Sequence, residues 1–232
     1  MTRIALVKNA LLGAAVFETY EQMLIQLSQD KDPEHDLEPD VYSKTSLVEH
    51  FYSGFCAGSV HGALSLTSDA MQTNYQSKQS RNGPRKQFNL YSVWVGRGSY
   101  TMHHALSHAV LFSSYEGSKR RMNFWLNERR KNLHTSCSNI DQEEFMIDTV
   151  YGDVFAIGIA GGIAGQVQTF VSHYSELWSD GMKKKQTNGE TFKQSLKKYP
   201  LPSARSIVLS FPASAIGFVA FEFGKDMMLS TE

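Results

Sequence analysis

Cysteine is nearly absent from this 232-residue chain: Cys56 and Cys137 are too few for a disulfide framework and lack zinc-motif spacing. An excess of either charge is absent as well. The 23 Lys and Arg balance the 23 Asp and Glu, which argues against an electrostatic nucleic-acid binder and against a polyanionic tail. No long, uniformly apolar run occurs, and the mean hydropathy is slightly negative, so bulk composition reads as soluble. The first residues show no basic start leading into an apolar stretch and a small-residue cleavage site, so no secretory signal is expected. A nucleophile elbow, a phosphate loop and a zinc signature are all missing. Catalytic residues, a cofactor and enzymatic activity are therefore not expected.

What is present contradicts the soluble composition. Polar residues gather in four blocks, and the stretches between them are far more apolar than the average. Block 30–49 is acidic, with Asp30, Asp32, Glu34, Asp36, Glu38 and Asp40. Block 77–97 is basic, with Lys78, Arg81, Arg85, Lys86 and Arg97, and block 119–153 is mixed. Block 180–202 is basic again, through Lys183, Lys184, Lys185, Lys193, Lys197 and Lys198. Basic blocks in alternate positions are what a polytopic membrane protein shows when those loops share one side. Five segments remain: 4–27, 47–71, 100–122, 154–177 and 204–228. Each approaches the roughly 20 residues that cross a hydrocarbon core as a helix. Hydropathy taken segment by segment supports one or two spans; the others carry polar residues suited to a bundle interior.

Small residues recur at helix-packing intervals: Gly54, Gly58 and Gly62, then Gly158 with Gly162 and Gly161 with Gly165. A nucleotide-binding glycine turn at 158–165 would need a preceding strand and a later ribose-binding acid, and neither is evident.

The chain also repeats itself. One pattern reads Ala14-Ala-Val-Phe17-Glu-Thr-Tyr20-Glu21, Ala109-Val-Leu-Phe112-Ser-Ser-Tyr115-Glu116 and Ala215-Ile-Gly-Phe218-Val-Ala-Phe221-Glu222. The last two continue to Lys119 and Lys225. A second pattern pairs Ala57-Gly58 with Asp69 and Ala164-Gly165 with Glu176. The two patterns alternate along the chain.

In this phased alternation the chain resembles the mitochondrial carrier family (solute carrier family 25) over nearly its whole length. The resemblance implies an all-α, polytopic membrane helix bundle in the mitochondrial inner membrane, with about five transmembrane helices plus short matrix helices. Residues 1–28 would be the second helix of an incomplete first repeat, 29–46 an acidic intermembrane-space loop and 47–122 the second repeat. Residues 123–153 would be a further intermembrane-space loop and 154–232 the third repeat. The family's first helix has no counterpart in the chain as given. A first helix upstream of Met1 is the alternative, to be tested by mapping the native N-terminus.

Carriers close a matrix-side charge network through Pro-x-acid-x-x-base motifs at the ends of odd helices. The corresponding stretches here, Thr67-Ser-Asp69-Ala-Met-Gln72 and Tyr174-Ser-Glu176-Leu-Trp-Ser179, keep the acids and lose both prolines and both bases. Asp69, Gln72 and Glu176 thus read as remnants, and the acids are expected to lack cationic partners. The cytosolic-side motif, aromatic-acid-x-x-base, is complete at Glu116 with Lys119 and at Glu222 with Lys225, and lacks its base after Glu21. Substrate contacts implied by the family fall at Lys8, at His103 with neighbouring His104, and at Leu209, where a cation is usual. Lys8 and a protonated His103 suit an anion. His104 and His108 share a helix face, but with no third ligand at a convincing spacing a metal site is not expected.

Two functions follow from the resemblance. In one, the protein has lost ordinary transport and is a structural or assembly subunit, with membrane lipid (cardiolipin included) and other membrane subunits filling the seam of the absent helix. In the other it is an active small-solute anion carrier. Nucleic acid is not an expected partner.

Overall fold

The computed structural model describes residues 3–29, 45–79, 98–136, 142–187, 197 and 201–229, with side-chain surroundings for 8–28, 45–71, 98–129, 131, 152–178, 197 and 201–224. Among these the regular structure is helical throughout: α1 (Arg3–Gln29), α2 (Leu47–Gln79), α3 (Gly98–Ser136), α4 (Gln142–Thr187) and α5 (Ala204–Leu229). The all-α expectation is met, and each of the five apolar segments falls within one helix. The helices run longer than the segments. α3 continues to Ser136 and α4 begins at Gln142, so much of 123–153, expected as a loop, is helix instead. The expected short matrix helices and the acidic loop fall largely outside the described residues.

Local chemistry explains the helix starts. Ser46 and Glu49 form a reciprocal capping box at α2: the Glu49 amide donates to Ser46 Oγ at 3.3 Å, and the Ser46 amide donates to Glu49 Oε2 at 2.8 Å. Ser203 caps α5, its Oγ accepting from the Ser206 amide at 3.1 Å. Pro212 lies inside α5 and removes one intrahelical donor there.

Contacts divide the chain into two compact units. The first holds residues 1–109 and 172–200. Its core includes Val16, Tyr20 and Leu24, one stripe at four-residue spacing on α1, which packs against α2. Fully buried His50 ties these helices together: its Nδ1 pairs with the Tyr20 hydroxyl at 2.5 Å and its Nε2 with Thr45 Oγ1 at 2.9 Å. α2 approaches α3 backbone to backbone. A Cβ on Gly54 would lie 2.7 Å from the His108 carbonyl oxygen, and one on Gly62 would lie 2.9 Å from Thr101 Cα. At Gly58 it would collide with the His104 carbonyl. Only hydrogen fits at such a crossing, the spacing logic of small-residue packing between helices.

The second unit holds residues 110–171 and 201–232. Here Phe112 and Tyr115 of α3 meet Phe218 of α5, Tyr115 stacking on Phe218 at 3.9 Å between ring centroids. Ala156, Ala160 and Ala164 form a buried small-residue stripe on α4. A Cβ on Gly161 would lie 2.9 Å from Phe218, and one on Gly165 would strike Ser214.

Among the described residues, two stretches are long and apolar enough to cross a membrane by length and composition, Gly152–Trp178 and Ala204–Gly224. Several hydroxyl side chains in the helices are satisfied by their own helix. Thr19, Ser59, Thr67, Ser107 and Thr169 each donate to the carbonyl four residues earlier, at 2.7 to 2.9 Å. Such back-bonding lets polar residues occupy a helix face without water.

Candidate functional site

Three groups of polar side chains emerge, and only part of each was visible in the sequence. Among the described residues, the first surrounds Glu222, the acid of the α5 aromatic-acid-x-x-base motif, in the second unit. Glu222 of α5 is buried and accepts from two donors on α3, the Tyr115 hydroxyl at 2.6 Å and the Lys119 ammonium. Both donors converge on Oε1, a charge-assisted arrangement stronger than a neutral pair. Glu116, also buried, takes a different partner: Arg120 Nε donates to it at 2.7 Å within the same helix. The acid and base of the α3 motif therefore serve separate contacts. Glu21 is half-buried on α1. The Lys225 side chain lies outside the described residues.

The second group involves the matrix-side remnants and corrects one expectation. Asp69, read as an acid without a cation, accepts from Lys8 Nζ at 2.7 Å across the α1–α2 pair. The partner sits 61 positions away and belongs to neither repeat motif. Lys8 is thereby an ion-pairing residue as well as a candidate contact. Glu176 is exposed, and the Gln72 side chain lies outside the described residues.

The remaining contact candidates separate. His103 Nδ1 pairs with Ser175 Oγ of α4 at 2.5 Å, and the adjoining Ser172 hydroxyl donates to Ser107 Oγ at 3.0 Å. Leu209 is 56% exposed on α5. It belongs to the second unit, and Lys8, His103 and His104 belong to the first.

The third group adds an unforeseen member, His61, to the His104 and His108 pair, for which no third ligand was expected. His61 of α2 meets His104 and His108 of α3, with ring centroids 4.8 Å from each. One ligand atom from each of the three lies within 4.8 Å of the others. His61 Nδ1 and His108 Nε2 are 3.1 Å apart, and His108 Nδ1–H donates to the His104 carbonyl oxygen at 2.9 Å. His108 is buried, while His61 and His104 are half-buried. Tyr100 closes one side, its ring centroid 4.6 Å from that of His104. The signal lay in the α2 glycines. Gly58 and Gly62 flank His61 and set α2 directly against the backbone carrying His104, a link that spacing within α3 alone does not show.

No protein-family model matches the chain, and comparisons with curated proteins and with solved structures likewise find no match.

Proposed function

We propose that this chain is a non-enzymatic, carrier-like helical protein of the mitochondrial inner membrane, serving as a structural or assembly subunit of a larger membrane complex. The observation that carries this reading is the outer surface of α5. Within the apolar stretch Ala204–Gly224 only Phe218 and Glu222 are buried, whereas Gly152–Trp178 buries Ala156, Ala160, Gly161, Gly162, Ala164 and Gly165. Val208, Leu209, Ile216 and Phe223 stand 66%, 56%, 70% and 50% exposed along it. A face of that kind needs lipid, cardiolipin included, or the helix of another subunit as its cover. Leu209, where a carrier would place a cation toward its solute, belongs to this apolar face.

Transport of an anion has less support. Lys8 is held by Asp69 and His103 by Ser175, so the cationic side chains a solute would need are already engaged. The carrier resemblance keeps its support from the Lys119–Glu222 pair, which links two motif-bearing helices.

Native size after mild-detergent solubilisation of mitochondria, read by antibody on a non-denaturing gel, tests the subunit role. Migration with a large assembly is expected. Migration near monomer size would overturn that role and return attention to anion transport, by reconstitution into vesicles.

A further inference from the structure

We propose that His61, His104 and His108 form a binding site for one divalent late first-row transition-metal ion of the zinc and copper class. Three imidazoles without a carboxylate select this class over magnesium or calcium, which require oxygen donors. Two of the nitrogens already stand at a ligand-to-ligand separation. Bonds of about 2.0–2.1 Å in a tetrahedron put neighbouring nitrogens about 3.3 Å apart, and the His61 Nδ1 to His108 Nε2 distance is 3.1 Å. The third ligand atom lies within 4.8 Å of the others and would move inward on coordination.

Proton placement strengthens the assignment. A carbonyl oxygen only accepts, so His108 Nδ1 carries the proton it shares with the His104 carbonyl. The Nε2 lone pair of neutral His108 therefore points toward His61. A ligating histidine commonly donates its second N–H to a carbonyl in this way, which fixes ring and tautomer. In the metal-free protein the His61 Nδ1–H fills the gap. An ion would replace that proton, with His61 carrying its hydrogen on Nε2 instead.

Lys8 and Asp69 are near enough to act electrostatically on the cluster, but they pair with each other and so add no net charge. The scaffold is rigid where it matters, because Gly58 and Gly62 hold the α2 backbone against the turn of α3 that bears His104. Three protein ligands leave a fourth position for water or a small anion.

The test uses the full chain without a polyhistidine tag, purified in detergent and stripped with a chelator. Equilibrium dialysis against Zn2+ should give one tightly held ion per chain. His61→Gln and His108→Gln should each weaken binding by more than about 100-fold, beyond the usual cost of losing an outer-sphere partner. His173→Gln, outside the cluster, should leave it unchanged. Electron paramagnetic resonance of the Cu2+-loaded wild-type chain provides a readout that does not depend on the variants folding. Coupling to imidazole nitrogens is expected. Oxygen-only coordination, no stoichiometric site, or equal binding by folded wild-type and variant chains would overturn the proposal.

Discussion

Glu222 draws its donors from residues 103 and 107 positions earlier, so its carboxylate reports directly on how α3 and α5 meet. Its side chain is 12% exposed and that of Lys119 is 24% exposed, which places the pair between a surface and a fully buried salt bridge. Lys119→Met removes the ammonium from the carboxylate and should cost about 1–3 kcal/mol, the usual range for losing a hydrogen bond to a charged group. Glu222→Gln in the same chain should recover part of that loss, giving a coupling above about 0.5 kcal/mol in a double-mutant cycle read by thermal unfolding in detergent. Strict additivity would contradict the pairing. Arg120→Gln is the contrast: its pair with Glu116 lies within one helix and Arg120 is the more exposed partner, so a smaller cost than that of Lys119→Met is expected in the same thermal unfolding. The residue types at Glu116, Lys119 and Glu222 were legible as a motif, but their partners were not. Partner choice depends on which backbones approach, and Lys8 with Asp69 shows how far that departs from motif logic: the base sits on another helix with no motif around it.

Among the elements, the five helices were legible because blocks of charge bound them, while their ends were not. Residues 123–136 contain neither proline nor glycine and include the helix formers Leu126, Glu128, Arg129, Arg130, Lys131 and Leu133, so nothing stops α3 from continuing through a polar stretch. Trp125 and Arg129, with the guanidinium 5.6 Å from the ring centroid, add a contact along that extension. The α2–α3 crossing was half visible. Its glycines marked a close approach, yet the sequence did not say which helix they face, and the histidine cluster stayed hidden with that choice. Gly58→Val tests the crossing, since the new side chain would meet the His104 carbonyl and Ala105 backbone. Backbone has little freedom to yield, so destabilisation of about 1–3 kcal/mol is expected by thermal unfolding. A neutral result would mean that α2 and α3 stand farther apart.

For the whole molecule, bulk composition misleads because charge is segregated. Equal numbers of acids and bases sit mostly in the blocks, and averaging over them conceals Gly152–Trp178 and Ala204–Gly224. Helices α1, α2 and α3 carry polar residues that hydropathy penalises, but many of those residues are satisfied within their unit. His50 is held by Tyr20 and Thr45, Lys8 by Asp69, and Ser59 and Thr67 by their own helix. The proposed membrane residence rests on that internal satisfaction together with the apolar outer face of α5. Alkaline carbonate extraction of mitochondria containing the native chain addresses it most directly. Retention in the membrane pellet, alongside an integral marker, is the predicted result. Release into the supernatant with peripheral proteins would contradict membrane residence and leave a soluble helical protein.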